Sequence, residues 1–228
     1  MQKLPHLKLS TGEILNVGEV KHTSQGELTI QKFYHDFDIA SRTSIINHLI
    51  SKYHLKSYLE IGVRDGRNFD QIKIKNKTGV DPNPTKKIIN IHKLTSDDFF
   101  KINKNFFDII FIDGLHLENQ VDKDIERSLE VLSENGFIIM HDCNPPTEFH
   151  QRENYEIDGK FPPWNGTVWK SFAKIRMTKA NLDLCCVNCD WGVGIIKKGN
   201  SKTFNFTKNL NFEFLNENRV NLLNLISV

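Results

Sequence analysis

Two short segments of the chain combine carboxylates with imidazoles and could carry out catalysis. Residues 113–116 are Asp-Gly-Leu-His, and residues 141–143 are His-Asp-Cys. Histidine can act as a general base toward an acceptor hydroxyl, whose own pKa lies far above neutral. Two carboxylates with one or two imidazoles can instead hold a divalent cation such as Mg²⁺, Mn²⁺ or Fe²⁺. The two segments therefore predict a catalytic centre that uses either a general base or a metal ion.

A glycine turn upstream of them predicts a ligand-binding loop. Residues 60–66 are Glu-Ile-Gly-Val-Arg-Asp-Gly and follow a short apolar run. A G-x-G-x-x-G fingerprint for pyrophosphate would need glycines at Arg64 and Arg67, and no Walker lysine follows the turn. Asp81, at the end of the next apolar run, is well placed to accept hydrogen bonds from ribose hydroxyls. Recognition of an adenosine without a pyrophosphate indicates S-adenosylmethionine as the ligand.

Short apolar runs alternate with amphipathic patterns along the chain. Runs typical of strands occupy residues 57–61, 77–81, 88–91, 106–113 and 136–142. The spacing of apolar side chains predicts helices over 39–53, 118–134 and about 167–180. This order predicts βαβ units and a parallel sheet that is covered on both faces.

Two later segments complete the predicted fold. Residues 184–188 and 193–197 predict an antiparallel hairpin around Asp190-Trp191-Gly192. We therefore expect an α/β, Rossmann-like, doubly wound and mostly parallel sheet with a C-terminal antiparallel hairpin. Residues 143–170 hold four of the seven prolines and predict a long loop over the C-terminal edge of the sheet, where ligands of such folds bind.

Length and charge narrow the possible functions. The 228 residues suit one α/β domain, which we expect over 39–200, with an N-terminal cap segment at 1–38 and a tail at 201–228 that packs on the domain. A turn at 10–13 indicates a small hairpin in the cap. The 30 basic and 28 acidic residues leave a net charge of +2, which argues against a nucleic-acid partner. No apolar run predicts a transmembrane segment.

The cysteines and the N-terminus indicate a cytoplasmic protein. The first residues lack the apolar stretch of a signal peptide. Cys186-x-x-Cys189 has the spacing of half a zinc site, but no second pair completes it. We therefore expect reduced, mostly buried thiols at all four cysteines, which are Cys143, Cys185, Cys186 and Cys189.

Residues 58 to about 146 resemble class I S-adenosylmethionine-dependent methyltransferases. Within that superfamily the chain is similar to the family of methyltransferase domain 24, many of whose members are tied to sugars or surface glycans. The resemblance rests on segments in the expected order: YLEIGVRDG (58–66), GVDPNP (79–84), HKLTSDDFF (92–100), FDIIFIDGLHLENQVDKDI (107–125) and GFIIMHDCNPP (136–146), followed by WNGTVWKSF (164–172) and DWGVGII (190–196). It implies a methyltransferase domain over 39–200.

The resemblance also implies roles for particular residues toward S-adenosylmethionine. The turn residues Glu60, Gly62, Arg64 and Gly66 would hold the methionine end of the cofactor. Asp81 would bind the ribose hydroxyls.

Three further residues belong to the implied cofactor site. Ser96 and Asp97 would lie near the adenine, and Asp113 would lie beside the reactive sulfonium. A purely structural alternative exists for Ser96-Asp97-Asp98, because a helix N-cap followed by first-turn acids is favourable by itself.

Two catalytic schemes remain open at this stage. In the first, a divalent metal such as Mg²⁺ or Mn²⁺ is held by Asp113, Asp142 and His141. Related metal-dependent O-methyltransferases usually carry Asp-Asp or Asp-Asn in the second segment, where this chain has Asp142-Cys143. In the second scheme His116 or His141 is the general base, and Asp113 or Asp142 orients it.

The acceptor is predicted from the proline-rich loop and from the family. His150, Tyr155 and Trp164 could contact an acceptor, although Trp164 could equally anchor the loop. Trp169 is expected in the core. We expect an O-methyltransferase that acts on a sugar hydroxyl of a glycan or glycoconjugate and that forms a homo-oligomer or associates with glycosyltransferases. A small-molecule natural product as acceptor and a non-catalytic cofactor-binding module are the alternatives.

Overall fold

A computed structural model describes residues 41–204 and 209–226, together with four two-residue strands near the N-terminus. These strands are β1 (Gln2–Lys3), β2 (Leu7–Lys8), β3 (Ile14–Leu15) and β4 (Glu19–Val20). β2 pairs antiparallel with β3, which agrees with the hairpin predicted around residues 10–13, and β1 pairs antiparallel with β4. The rest of the predicted cap segment lies outside the described residues.

An eight-stranded sheet forms the centre of the molecule. Its strands in chain order are β5 (Ser57–Ile61), β6 (Asn76–Val80), β7 (Ile91–His92), β8 (Phe107–Ile112), β9 (Leu132–Met140), β10 (Leu182–Val187), β11 (Val193–Lys198) and β12 (Leu225–Ile226). The order across the sheet is β12-β10-β11-β9-β8-β5-β6-β7. Strands β5 to β9 are parallel, and β11 is antiparallel to both β9 and β10. The sheet confirms the predicted α/β fold and its C-terminal hairpin.

Helices cover both faces of this sheet. They are α1 (Arg42–Tyr53), α2 (Arg67–Gln71), α3 (Ser96–Ile102), α4 (Glu118–Glu130), α5 (Val168–Thr178) and α6 (Phe212–Leu222). Successive residues of β8 alternate between the two faces of the sheet. Ile110 belongs to the buried cluster that contains Trp169 of α5, and Phe111 belongs to the cluster that contains Ile45 of α1. The near-continuous apolar strands of the sequence therefore reflect burial on both faces. None of the helices in the described part of the chain has the length and apolar character needed to cross a bilayer.

The parallel strands all end at one edge of the sheet, and this geometry positions the site. The antiparallel neighbour β11 pairs Gly194 with Met140, so the turn that precedes it lies beside the end of β9. The segment from His141 to Thr167 contains no helix and only one isolated bridge, between Ile157 and Lys160. It is the predicted long loop.

Several predicted boundaries were wrong. The third strand was predicted over 88–91 but contains only Ile91–His92, and Ile89 is 81% exposed, so its apolar character does not report burial. The helix predicted to run to 134 ends at Glu130, and Leu132 instead begins β9. Leu132 fits a helical stripe equally well, and pairing with β8 at Phe107 decides its place.

The tail contributes more than edge packing. Helix α6 buries Phe214, Leu215 and Leu222, and β12 pairs in parallel with β10 at the border of the sheet. All four cysteines are free and buried, as predicted. The predicted division into cap, domain and tail remains a proposal.

Candidate active site

The turn after β5 has a backbone that only glycine can adopt at its first position. Gly62 has φ +89°, and its N–H donates to the Val80 carbonyl at 2.8 Å. A Cβ atom there would lie 2.1 Å from the Asp113 carbonyl oxygen. Gly66, at φ +75°, forms the N-terminal boundary of α2. The predicted glycine turn therefore packs directly against the strand end that carries Asp113, and a ligand can approach its backbone closely.

Glu60 is a buried carboxyl group just before this turn. It is 1% exposed and accepts hydrogen bonds from the Tyr58 hydroxyl at 2.5 Å and from Asn68 Nδ2 at 2.9 Å. Burial raises the pKa of Glu60 from 4.5 to about 8, although the hydrogen bonds from Tyr58 and Asn68 oppose the rise. The predicted binder of the methionine end is therefore protonated at neutral pH when no cation lies beside it.

The predicted ribose-binding acid holds the glycine turn in place. Asp81 Oδ2 accepts from the Arg64 N–H at 2.7 Å, and Asp81 Oδ1 accepts from the Asn83 N–H at 2.8 Å. Arg64 takes part through its backbone, at φ +48°. Each Asp81 oxygen retains a lone pair that could accept from a hydroxyl group.

Ser96 and Asp97 lie in the first turn of α3 and face α4. Gln120 Nε2 donates to Ser96 Oγ at 3.1 Å and to Asp97 Oδ1 at 3.2 Å. The cap of this helix is Thr95, whose hydroxyl accepts from the Asp98 N–H, so the capping alternative was displaced by one residue. The structural role of these residues is visible, and their adenine-binding role stays a prediction.

Four predicted catalytic residues come together beyond the ends of β8 and β9. The Asp113 carboxylate lies 3.3 Å from His116 Nε2 and 3.3 Å from His141 Nδ1. The Asp142 carboxylate lies 3.2 Å from His116 Nδ1 and 3.0 Å from His141 Nδ1. Two carboxylates and two imidazoles thus alternate around one small centre, in which His141 and Asp142 are buried and Asp113 and His116 are partly exposed.

The charges of this centre shift its titration strongly. Burial lowers the pKa of His116, but the carboxylates of Asp142 and Asp113 outweigh it and raise the pKa above the ordinary value of 6.5. The same balance, with Asp190 added and Arg42 opposing, raises the pKa of His141 well above 6.5. Burial would raise the pKa of Asp113, but the two histidines hold it below the usual range.

The residues present fit a divalent cation. One donor atom each from Asp113, His141 and Asp142 lies within 4.8 Å of the others. His116 Nδ1 is buried and makes no hydrogen bond, although Asp142 lies 3.2 Å away. Carboxylate and imidazole donors suit Mg²⁺ or Mn²⁺. Where related metal-dependent O-methyltransferases use Asp-Asp or Asp-Asn, this chain has Asp142-Cys143. In the structure the second donor beside Asp142 is His141, the residue before it, and not Cys143.

Cys143 faces away from the cluster. It is fully buried against Gly194 and Phe172, and burial raises the pKa of its thiol. A neutral, apolar thiol of this kind is a core residue rather than a metal ligand.

Three residues of the site carried no local signal in the sequence. Asn165 Nδ2 donates to Asp142 Oδ1 at 2.6 Å, and Asp190 Oδ1 lies 3.3 Å from His141 Nε2. Arg42, in the first turn of α1, lies 2.5 Å from His141 Nε2 and 3.3 Å from Asp190. They come from three distant segments of the chain, and only the tertiary fold brings them together. Of the three, only Asp190 lies in a segment that the sequence analysis singled out, the predicted hairpin turn at residues 190–192.

The predicted acceptor residues divide into two groups. The Trp164 ring stacks on His116 at 5.0 Å and 13°, and Tyr155 lies 5.2 Å from Trp164. His150 instead contacts Trp191 and Thr147, and its carbonyl accepts from the Asn165 N–H. Trp164 and Tyr155 thus form an aromatic surface that begins at the catalytic cluster.

The same loop is held together internally. Trp164 Nε1 donates to the Arg152 carbonyl, and the Arg152 guanidinium donates to carbonyls of Pro162 and Pro163. Trp164 therefore both anchors the loop and faces the cluster. Trp169 is fully buried, as predicted.

The chain was compared with protein families, with curated proteins and with solved structures. Residues 34–143 match the family model of a methyltransferase domain. No curated protein matches the sequence.

Solved structures share the fold. A Staphylococcus aureus protein assigned as a caffeoyl-CoA O-methyltransferase superposes with a TM-score of 0.54 at 19% identity, over 71% of this chain and 85% of its own. A Podospora anserina methyltransferase with bound S-adenosylhomocysteine gives 0.53 at 17% identity, over 75% and 85%. The O-methyltransferase TomG of Streptomyces achromogenes, solved with S-adenosylmethionine, gives 0.51 at 9% identity, over 70% and 80%. The chain therefore shares the fold of these class I methyltransferases, and the family match over residues 34–143 is to a methyltransferase domain.

Proposed function

We propose that the protein is an S-adenosylmethionine-dependent O-methyltransferase that methylates a hydroxyl group of a sugar in a glycan or glycoconjugate, with a divalent Mg²⁺ or Mn²⁺ ion assisting. The observation that carries the proposal is the contact between the glycine turn at Gly62 and the strand end at Asp113. It joins the predicted cofactor loop to the cluster of acids and histidines. A non-catalytic binding module would have no use for that cluster.

The residues of the turn would bind and orient the cofactor. When bound, S-adenosylmethionine supplies a methyl group that its sulfonium has already activated. Glu60 would balance the positive ammonium of the methionine end, and Asp81 would accept from the ribose hydroxyls. Alignment of the methyl group with the acceptor oxygen can account for several orders of magnitude in rate.

The cluster would remove the proton of the acceptor. Asp113, Asp142 and His141 would hold the metal ion, whose positive charge lowers the pKa of a nearby hydroxyl. His116 would accept the proton at Nδ1, the nitrogen that makes no hydrogen bond, and the Asp142 carboxylate at 3.2 Å would stabilise the resulting imidazolium.

The sugar acceptor rests on the aromatic surface and on the family resemblance. Trp164 and Tyr155 present ring faces beside the cluster, and such faces pack against the apolar face of a sugar. Of these two arguments the aromatic surface carries more weight, because one fold hosts many functions and a resemblance of fold does not identify a substrate. We also propose that the protein is cytoplasmic, because its four buried cysteines are free thiols.

A small-molecule natural product is the second candidate acceptor. It is favoured by the neighbour TomG, which takes part in tomaymycin synthesis. The exposed rings of Tyr155 and Phe161 would suit a planar acceptor as well.

Titration calorimetry with S-adenosylhomocysteine, with EDTA or with added Mn²⁺, is the decisive first test. Micromolar binding is expected, and absence of binding under every condition would refute the methyltransferase. Formation of S-adenosylhomocysteine would then be measured with nucleotide sugars, oligosaccharides and small phenols as acceptors. Turnover with phenols but with no saccharide would refute the sugar acceptor and favour a small-molecule natural product as the acceptor.

A further inference from the structure

The turn between β10 and β11 brings an additional acid to the catalytic cluster. Asp190, Trp191 and Gly192 have φ values of +44°, +65° and +90°. The turn is fastened to the segment after β9, because the Cys143 N–H donates to the Gly192 carbonyl at 3.0 Å and the Asn144 N–H donates to the Trp191 carbonyl at 2.9 Å. These two hydrogen bonds hold the turn beside the end of β9, and Asp190 is 5% exposed.

The imidazole of His141 lies between Asp190 and the candidate metal centre. Its Nε2 faces Asp190 Oδ1 at 3.3 Å, and its Nδ1 faces Asp142 at 3.0 Å and Asp113 at 3.3 Å. Only a nitrogen without a hydrogen can bind a cation. His141 can therefore serve as a ligand at the Asp113–Asp142 side only if its remaining hydrogen is on Nε2.

Two groups compete for Nε2. The Arg42 guanidinium can only donate, and it lies 2.5 Å from Nε2 and 3.3 Å from Nδ1. Through the shorter contact it favours the tautomer in which Nδ1 carries the hydrogen and is closed to a cation. Asp190 can only accept when ionised, and it favours the hydrogen on Nε2. Its Oδ2 accepts from the Arg42 backbone N–H at 2.9 Å, and its Oδ1 lies 3.3 Å from the Arg42 guanidinium, so Asp190 already serves as an acceptor for donors other than the imidazole.

We propose that Asp190 is a positioning residue that keeps the hydrogen of His141 on Nε2, so that Nδ1 can bind the divalent cation together with Asp113 and Asp142. This inference rests on the proposed function. Metal-ligating histidines in general donate their other N–H to such a carboxylate, and loss of that partner typically costs about 10–100-fold in metal affinity. Asp190 touches neither cofactor nor acceptor in this scheme and acts through His141.

The substitution Asp190→Asn tests the tautomer specifically. Asp190 Oδ2 accepts from the Arg42 backbone N–H at 2.9 Å, so the amide oxygen of the asparagine will keep that hydrogen bond. Its NH₂ will then take the place of Oδ1, which lies 3.3 Å from both His141 Nε2 and the Arg42 guanidinium. An NH₂ group there donates to Nε2 and forces the hydrogen onto Nδ1. The change is nearly isosteric, and in a catalytic triad the same type of substitution impairs the enzyme through the wrong tautomer.

Mn²⁺ affinity should be measured by electron paramagnetic resonance on protein saturated with S-adenosylhomocysteine. We expect Asp190→Asn to weaken Mn²⁺ binding by about 10–100-fold and to leave the affinity for S-adenosylhomocysteine unchanged. The matched control is Asp183→Asn, another buried aspartate of the same hairpin that lies in β10. It should leave both affinities unchanged.

A second measurement uses the native chain and does not depend on a variant that folds. Histidine labelled with ¹⁵N reports which ring nitrogen carries the hydrogen, and saturation with Mg²⁺ should leave His141 with hydrogen on Nε2 only. Hydrogen on Nδ1 with Mg²⁺ bound, or equal Mn²⁺ affinity of native protein and Asp190→Asn, overturns the inference. It is also overturned if the native protein binds S-adenosylhomocysteine but no Mn²⁺, whereas failure to bind S-adenosylhomocysteine overturns the proposed function.

Discussion

Glu60 should make the stability of the protein depend on pH across the neutral range. Its folded-state pKa of about 8 lies above the ordinary value of 4.5. Below about pH 4.5 the carboxyl group is protonated in both states, and its contribution to stability is fully present. As the pH rises toward 8 the unfolded chain loses the proton while the folded chain keeps it, so stability falls. Above about pH 8 both states are ionised and the loss is complete.

The size of this effect follows from the shift. At about 1.4 kcal/mol per pKa unit, a rise from 4.5 to about 8 corresponds to about 5 kcal/mol, an upper figure that applies only because Glu60 is almost fully buried. The substitution Glu60→Gln removes the ionisation but keeps an oxygen that can accept from Tyr58 and Asn68. We expect the glutamine variant to gain stability relative to the native chain by several kcal/mol between pH 5 and pH 8.

Urea unfolding followed by tryptophan fluorescence at a series of pH values measures this difference. Other titrating groups affect both proteins alike, so the difference between the two curves reports Glu60. The control is Glu134→Gln, whose side chain is largely exposed, and its curve should run parallel to that of the native chain. Parallel curves for native protein and Glu60→Gln would refute the reasoning, because they would mean that Glu60 ionises in the fold as it does in water.

Further predictions concern the other parts of the site. Gly62→Ala should abolish binding of S-adenosylhomocysteine in calorimetry and lower the thermal midpoint, because the new Cβ would lie 2.1 Å from the Asp113 carbonyl oxygen. His116→Asn should lower kcat by about 10²–10⁴-fold while the affinity for S-adenosylhomocysteine stays unchanged, and an unaltered kcat would exclude His116 as the base. Asp142→Asn should weaken Mn²⁺ binding by more than about tenfold in the resonance assay, and equal affinity would remove Asp142 from the metal centre. Trp164→Ala should raise the acceptor KM by about 2–10-fold, the equivalent of about 0.5–1.5 kcal/mol for one aromatic contact; an effect on the affinity for S-adenosylhomocysteine alone would contradict its acceptor role.

Much of the fold could be predicted because its signals are local. Runs such as 57–61 and 106–113 are apolar throughout, which is typical of strands buried on both faces, and the parallel sheet confirmed this. The failures occurred where one pattern fits two structures. Leu132 continues the helical stripe of α4 but belongs to β9, and the isoleucines at 88–89 are apolar but largely outside the sheet.

The candidate site was predictable only in part. Acids and histidines that directly follow strands are visible in the sequence, and the rule that parallel strands end at one edge places Asp113 and Asp142 together. Their partners obey no such rule. Arg42 precedes Asp190 by 148 residues, and Asn165 follows Asp142 by 23, so no periodic pattern links them.

The amino-acid sequence alone established the α/β class, the glycine turn and the two segments that carry acids and histidines, because each depends on residues that are neighbours along the chain. Tertiary structure alone established which nitrogen of His141 faces which carboxylate and that Cys143 faces the core. It also showed that the tail completes the sheet with β12. These features depend on the antiparallel return of β11 beside β9, which joins distant segments through space. A carboxylate forms a hydrogen bond with an imidazole only when their atoms lie about 3 Å apart. For residues that are far apart along the chain, the tertiary fold sets that distance.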